Sequence, residues 1–193
     1  MAPSERGLRS QTTLGGHPVH PMLIPFPIAF LVGAFASDLA YWGTADPFWA
    51  LASAWLIGAG FVTGALAAVF GLIDFLFIRR VRALSAAWYH FVGNAAVLLI
   101  SLWNGAMRMD NAEGAVLPLG IILSAVVTVL LLITGWFGGT LAYEHKIGAV
   151  DGLPTGLDAA PRPAASFVGE DEGYGARAAQ AQAEAERERQ QRG

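Results

Sequence analysis

Apolar residues in this chain come in long runs, not in the short alternating or amphipathic stripes of a water-soluble domain. The first run goes from Met22 to Trp42, interrupted by Asp38. The second goes from Phe48 to Ile78, with Asp74 near its end. The third, Ala83 to Met107, encloses His90, and the fourth, Ala115 to Tyr143, carries no charge until Glu144 follows it. Crossing about 30 Å of hydrocarbon takes about 20 helical residues. All four runs are long enough, and the second and fourth exceed the need, which predicts tilt or an interfacial extension. An open sheet is excluded, because lipid cannot satisfy its edge groups. The connections Gly43–Pro47, Arg79–Arg82 and Arg108–Gly114 are short, so sequential helices must run antiparallel. The pattern predicts an all-α integral membrane protein, a four-span antiparallel helical bundle over residues 17–150. A polar arm, residues 1–16, precedes it, and a disordered cytoplasmic C-terminal tail, residues 151–193, follows.

Composition agrees. The chain is 54% hydrophobic and only 14% charged, where a soluble domain carries about 25% charged residues. There is no cysteine, which excludes disulfides, thiolate metal sites, iron–sulfur ligation and cysteine nucleophiles. A net charge of −3 leaves no basic footprint for nucleic acid. The tail holds that whole charge, with Pro154, Pro161, Pro163 and few large apolar residues, hence its expected disorder. Its last part, Ala178 to Arg192, has alanines as its only apolar residues, so even if helical it has no face to bury.

Arginine and lysine set the orientation. Arg6, Arg9, Arg79, Arg80, Arg82 and Lys146 fall on one side, against Arg108 on the other. The positive-inside rule then puts both termini in the cytoplasm. A cleaved signal peptide is the rival for the first run, since Ala34-Phe35-Ala36 resembles a cleavage site. Pro25 and Pro27 at its start and the continuation through Trp42 favour a retained span. Gly60-x-x-x-Gly64 with Ala68, and Gly135, Gly138 and Gly139, mark close helix packing, within the bundle or in a homo-oligomer. Trp42, Trp49, Trp88 and Tyr89 read as interfacial anchors.

This topology brings all four histidines to one face. His17 and His20 precede span one, His90 lies roughly 10 Å of helix rise into span three, and His145 follows span four. Asp74 and Glu144 share that level. Imidazoles with carboxylates bind transition metals, and two imidazoles suit a b-type haem between helices. His17, His20, His90, His145 and Asp74 are therefore candidate metal ligands, with His20 and His90 the candidate haem ligands. Asp74 and His90 lie within apolar runs, where a polar group needs a partner. A direct Asp74–His90 hydrogen bond is expected, with Arg79 or Arg80 as competitors and Asn94, one turn on, as a third member. The same three residues equally make a structural polar clasp. Asp38, near the outer edge, is expected to snorkel to the headgroups. The prolines Pro18, Pro21, Pro25 and Pro27 predict an extended segment from His17 to Pro21 and a helix restarted near Pro25–Pro27. Folded over the bundle mouth, that segment brings His20 towards His90.

Gly16-His17-Pro18-Val19-His20-Pro21 with Pro25-Phe26-Pro27-Ile28, then Gly71-x-x-Asp74, His90-x-x-x-Asn94 and Gly138-Gly139-x-Leu141-x-Tyr143, resemble the motifs of a bacterial membrane family, domain of unknown function 2231. The resemblance covers roughly residues 15–150. It implies a four-span protein of the bacterial inner membrane. Some relatives look fused to Rieske-type or cytochrome modules, which implies electron transfer. This chain has neither a cysteine pair nor a c-type haem motif, so its tail adds no redox centre.

Three functions stay open. The first is a haem or transition-metal protein with a membrane redox partner. The second is a structural or partner-binding subunit. The third is a small ion or proton transporter. No nucleophile–base pair or phosphate loop is recognisable, which leaves hydrolytic and kinase-like chemistry unsupported.

Overall fold

The computed structural model describes residues 10–148. The arm's first nine residues and the tail, including the helix considered for 178–192, lie outside them. Four helical segments are long and apolar enough to cross a membrane: Val19–Thr44, Pro47–Phe77, Ser85–Met107 and Ala112–Glu144. These are the four expected spans, with ends shifted by a few residues. The first comprises a short helix α1 (Val19–Leu23) and α2 (Pro25–Thr44). The second is α3 (Pro47–Phe77), joined through α4 (Arg79–Arg82) to α5 (Ser85–Met107). The last runs from α6 (Ala112–Ala115) through a wide turn at Val116–Gly120 into α7 (Ile121–Gly139), and ends in a second wide turn, Thr140–Glu144.

Local chemistry places the breaks. Asp46 caps α3 by accepting from the Phe48 N–H at 3.0 Å, and Pro47 takes the first helical position, where no N–H is needed. Asn111 caps α6 by accepting from the Gly114 N–H at 2.9 Å. The expected extended stretch from His17 to Pro21 is shorter than the prolines suggested. Helix α1 already begins at Val19, because Pro21 falls in its first turn, where a missing N–H loses no helical bond. Pro25 then opens α2. Ahead of α1, the strands β1 (Thr13–Leu14) and β2 (His17–Pro18) pair antiparallel. Gly15 and Gly16 both have positive φ, at 58° and 84°, as a two-residue hairpin loop requires.

The helices pack in the cyclic order α2, α3, α5, α7. Buried positions recur every three or four residues: 27, 31, 34 and 38 on α2; 50, 53, 57, 60 and 67 on α3; 97, 101 and 104 on α5; 124, 127, 131 and 134 on α7. Steps of three and four keep these positions on one inward face of each helix. Leu31, Val97, Val127 and Leu131 fill its centre. Gly60 lets α2 come close, since a Cβ there would lie 2.6 Å from Leu31 Cγ, and at Gly64 one would lie 3.0 Å from Leu98 Cδ2. The Gly60-x-x-x-Gly64 face is thus filled from within the bundle by α2 and α5. Outward positions are large and apolar: Trp55, Leu99, Leu132 and Trp136 are all exposed, as lipid-facing side chains are.

Candidate functional site

Two polar layers lie on the bundle axis, one towards each end. The first contains the histidines. His20 stands on α1 and places Nδ1 2.7 Å from the Ala67 carbonyl oxygen of α3. His90 stands on α5 and places Nδ1 2.8 Å from the Thr134 carbonyl oxygen of α7. A carbonyl only accepts, so both Nδ1 atoms carry a proton, and a neutral imidazole so held has its lone pair on Nε2. No hydrogen bond engages either Nε2 among the described residues. Each ring lies over a glycine one turn beyond its carbonyl. A Cβ at Gly71 would lie 2.7 Å from His20 Cε1, and one at Gly138 would lie 3.0 Å from His90 Cε1. The two ring centroids are 6.3 Å apart, with planes at 89°. His20, on the first turn of span one, is thus brought to His90.

The rest of the expected cluster does not form. Among the described residues, no group of three or more His, Cys, Asp or Glu is placed to hold a metal ion. His17 and His145 are exposed, and neither joins the pair. The Asp74–His90 bond is replaced by another. Asp74 Oδ2 accepts from Ser10 Oγ at 2.6 Å and Oδ1 from the Gln11 N–H at 2.7 Å. Neither Arg79 nor Arg80 reaches it, since the one ion pair among the described residues lies elsewhere. Asn94 does bond His90, but through its Nδ2 to the backbone carbonyl at 2.8 Å, so it steadies the helix and not the imidazole. The proposed clasp of Asp74, His90 and Asn94 is therefore two separate devices.

Asp74 has a role of its own. Ala67, Gly71 and Asp74 occupy successive turns on one face of α3, and all three receive the folded-back arm. Ala67 and Gly71 seat His20, and Asp74 holds Ser10 and Gln11. The Val19 N–H donates to the Thr12 carbonyl at 3.0 Å and ties the arm to the start of α1. Hydrogen bonds to a charged group contribute roughly 1.5–3 kcal/mol each when sheltered, less where exposed. Asp74→Ala is expected to raise protease cleavage at the Gly15–Gly16 loop about tenfold in detergent-solubilised protein, and Asp74→Asn less. Equal cleavage of all three would show that the arm is held by something else.

The second polar layer was not expected. Asp38 and Arg108, read from sequence as a snorkelling acid and a loop cation, form a buried ion pair. Arg108 Nη1 lies 2.7 Å from Asp38 Oδ1 and Nη2 2.9 Å from Oδ2, a two-pronged contact with both side chains fully buried. Ser124 Oγ donates to Asp38 Oδ2 at 2.6 Å. Arg108 also donates from Nε to Asn104 Oδ1 at 3.0 Å and from Nη1 to Ser53 Oγ at 2.9 Å. Asn104 Nδ2 donates to Ser124 Oγ at 2.9 Å, and Ser53 Oγ to the Ala34 carbonyl at 3.2 Å. All four long helices contribute. Buried charges in lipid are tolerated only when so paired. Their signal in the sequence was periodicity: His90, Asn94, Val97, Ser101, Asn104 and Arg108 lie on one seam of α5, which a position-by-position reading of the loop missed.

No curated protein and no solved structure shows significant similarity to the chain. The profile of a family described as predicted membrane protein (DUF2231) matches residues 16–151. That stretch holds all four spans, the seated histidines and the ion pair, and by it the chain belongs to the DUF2231 family of membrane proteins.

Proposed function

We propose that this bundle holds a single metal-centred group, a b-type haem or a transition metal, between His20 and His90, in an electron-transfer role at the cytoplasmic face of a bacterial inner membrane. One observation carries the reading: two imidazoles on different helices, each anchored at Nδ1 by a backbone carbonyl, with both Nε2 atoms left for a ligand. A second hydrogen bond that orients a ring and fixes its proton is the usual support of a metal-ligating histidine. The spacing fits as well. The ring centroids lie 6.3 Å apart, near enough for one metal-centred group to reach both imidazoles. Two protein ligands are too few for a closed tetrahedral zinc site. They would suit a group that brings further donors of its own, and a haem held by His20 and His90 would supply one-electron chemistry. Gly71 and Gly138 act by leaving the imidazoles room, and Ala67 and Thr134 by orienting them.

The competing reading is a structural or partner-binding subunit. The buried Asp38–Arg108 network favours it, since its hydrogen bonds all run between residues of the bundle. Transport is less well supported. Leu31, Val97, Val127 and Leu131 form an apolar layer between the two polar ones, which interrupts any polar path along the axis. An absorbance spectrum of the purified protein, oxidised and reduced, with elemental analysis, tests the proposal. A Soret band with about one iron per chain, or about one transition metal without it, is expected from a single two-histidine site. A spectrum of bare aromatic absorbance with no stoichiometric metal would leave the structural reading in its place.

A further inference from the structure

Spans one and three share one pattern of inward positions. In the first they are His20, Ile24, Pro27, Leu31, Ala34 and Asp38; in the third, His90, Asn94, Val97, Ser101, Asn104 and Arg108. The offset is 70 residues throughout, and the two ends of the series meet face to face. His20 meets His90 at 6.3 Å between ring centroids, and Asp38 meets Arg108 at 2.7 Å. Spans two and four correspond in role but not at one offset, since their histidine seats are 67 residues apart and their inward serines, Ser53 and Ser124, are 71 apart. Ala67 and Gly71 seat His20 as Thr134 and Gly138 seat His90, carbonyl and glycine four residues apart in each.

The serines are reciprocal. Ser53, in span two, bonds position 34 of its own hairpin and Arg108 of the other. Ser124, in span four, bonds position 104 of its own hairpin and Asp38 of the other. Helix contacts follow suit, with α2 on α3 and α5 on α7 inside the hairpins, and α3 on α5 and α2 on α7 between them. Contacts in which each partner does to the other what the other does to it are the mark of a two-fold axis.

We infer that the membrane unit is two pseudo-equivalent two-span hairpins, Val19–Phe77 and Ser85–Glu144, and that the Asp38–Arg108 pair is the key that makes each hairpin complementary to the other and to no second copy of itself. On a two-fold axis every position faces its equivalent. Two first hairpins from two chains would press Asp38 against Asp38 out of water, and two second hairpins would press Arg108 against Arg108. Like charges buried in contact reject the pairing, while opposite charges accept it. Asn104 belongs to the arginine side of the key, since its Oδ1 receives the Arg108 Nε–H, and Ala34 stands at the equivalent place beside the acid. The serines are already the same on both sides. This inference does not depend on any bound cofactor.

Exchanging the two sides in the full chain tests it. Asp38→Arg alone is expected to abolish the cooperative thermal transition of the detergent-solubilised protein. Combining it with Arg108→Asp should restore a transition at reduced temperature. Adding Ala34→Asn and Asn104→Ala, so that the whole key is reversed, should bring the melting temperature back to within a few degrees of the natural chain. A reversed key no better than Asp38→Arg alone, or Asp38→Arg tolerated, would overturn the inference. Ser53→Ala and Ser124→Ala provide a second measure in variants that fold. Equal losses of melting temperature are expected, and a loss confined to one of them would refute reciprocity.

Discussion

Replacing Arg108 with alanine is expected to destabilise the protein by about 3–5 kcal/mol, the cost of removing one partner of a buried pair. The melting temperature in detergent should fall by on the order of 10 °C. Truncation leaves Asp38 fully buried with Ser124 as its remaining donor, in a layer that water does not reach. It also leaves the acceptors on Asn104 and Ser53 without their cation. Asp38→Ala should cost a similar amount, since it strands the guanidinium. The double variant should lose less than the two singles summed, because it removes both charges and leaves neither unpaired. Arg108→Lys keeps the charge but gives up the fork that meets both carboxylate oxygens, and should fall between alanine and the natural chain. The measurement is thermal unfolding of these four variants and the natural chain in one detergent. If Asp38 snorkelled to the headgroups, Arg108→Ala would change stability by at most about 1 kcal/mol, as exposed pairs do.

That layer also shows where reading residues along the chain stops being informative. The spans were legible because burial in lipid is a property of runs: twenty apolar residues identify a crossing whatever their partners. The histidine end was legible in part, because short loops and an even number of crossings return His20 and His90 to one face. Partners were not legible. Asp74 lies close in sequence to the turn leading to His90, yet its carboxylate takes Ser10 and Gln11, more than sixty residues away, once the arm folds back. Asp38 and Arg108 each sit at the end of a run, where a charge looks like an interfacial one. What separates them from Asp110 or Glu113 is phase. Both fall on the inward seam of their helices, in step with Ala34 and Asn104 one turn earlier. On that seam Asn104 and Arg108 find polar partners on the facing helices, whereas Asn94 bonds the His90 carbonyl of its own helix and the buried Ser101 hydroxyl finds no partner among the described residues. The glycine motifs make the same point. Gly138 read as a packing glycine and Gly71 as part of the Gly71-x-x-Asp74 motif, but what packs on each is an imidazole.

On the proposed two-histidine site, His90→Ala and His20→Ala are expected to abolish the cofactor spectrum or shift it to that of a centre with one imidazole, with metal retention falling at least tenfold, and to do so alike. The two rings are held in the same manner, so neither has a better claim to be the ligand: each has its Nδ1 proton on a carbonyl and its ring over a glycine. Loss of an orienting partner alone lowers metal affinity about 10- to 100-fold, and loss of the ligand itself should do no less. His17→Ala and His145→Ala supply the contrast, since both side chains are exposed and away from the pair. They should leave the spectrum as it was. Gly138→Leu should resemble His90→Ala, because a side chain in that seat drives the ring off the Thr134 carbonyl. A clasp that merely holds the helices together makes a different forecast. There His90→Ala lowers the melting temperature, no variant alters absorbance, and metal content stays at background in the natural protein too. Recording stability and spectrum on the same samples separates the cases, since a ligand loses its cofactor with the fold intact and a clasp loses the fold with nothing bound to release.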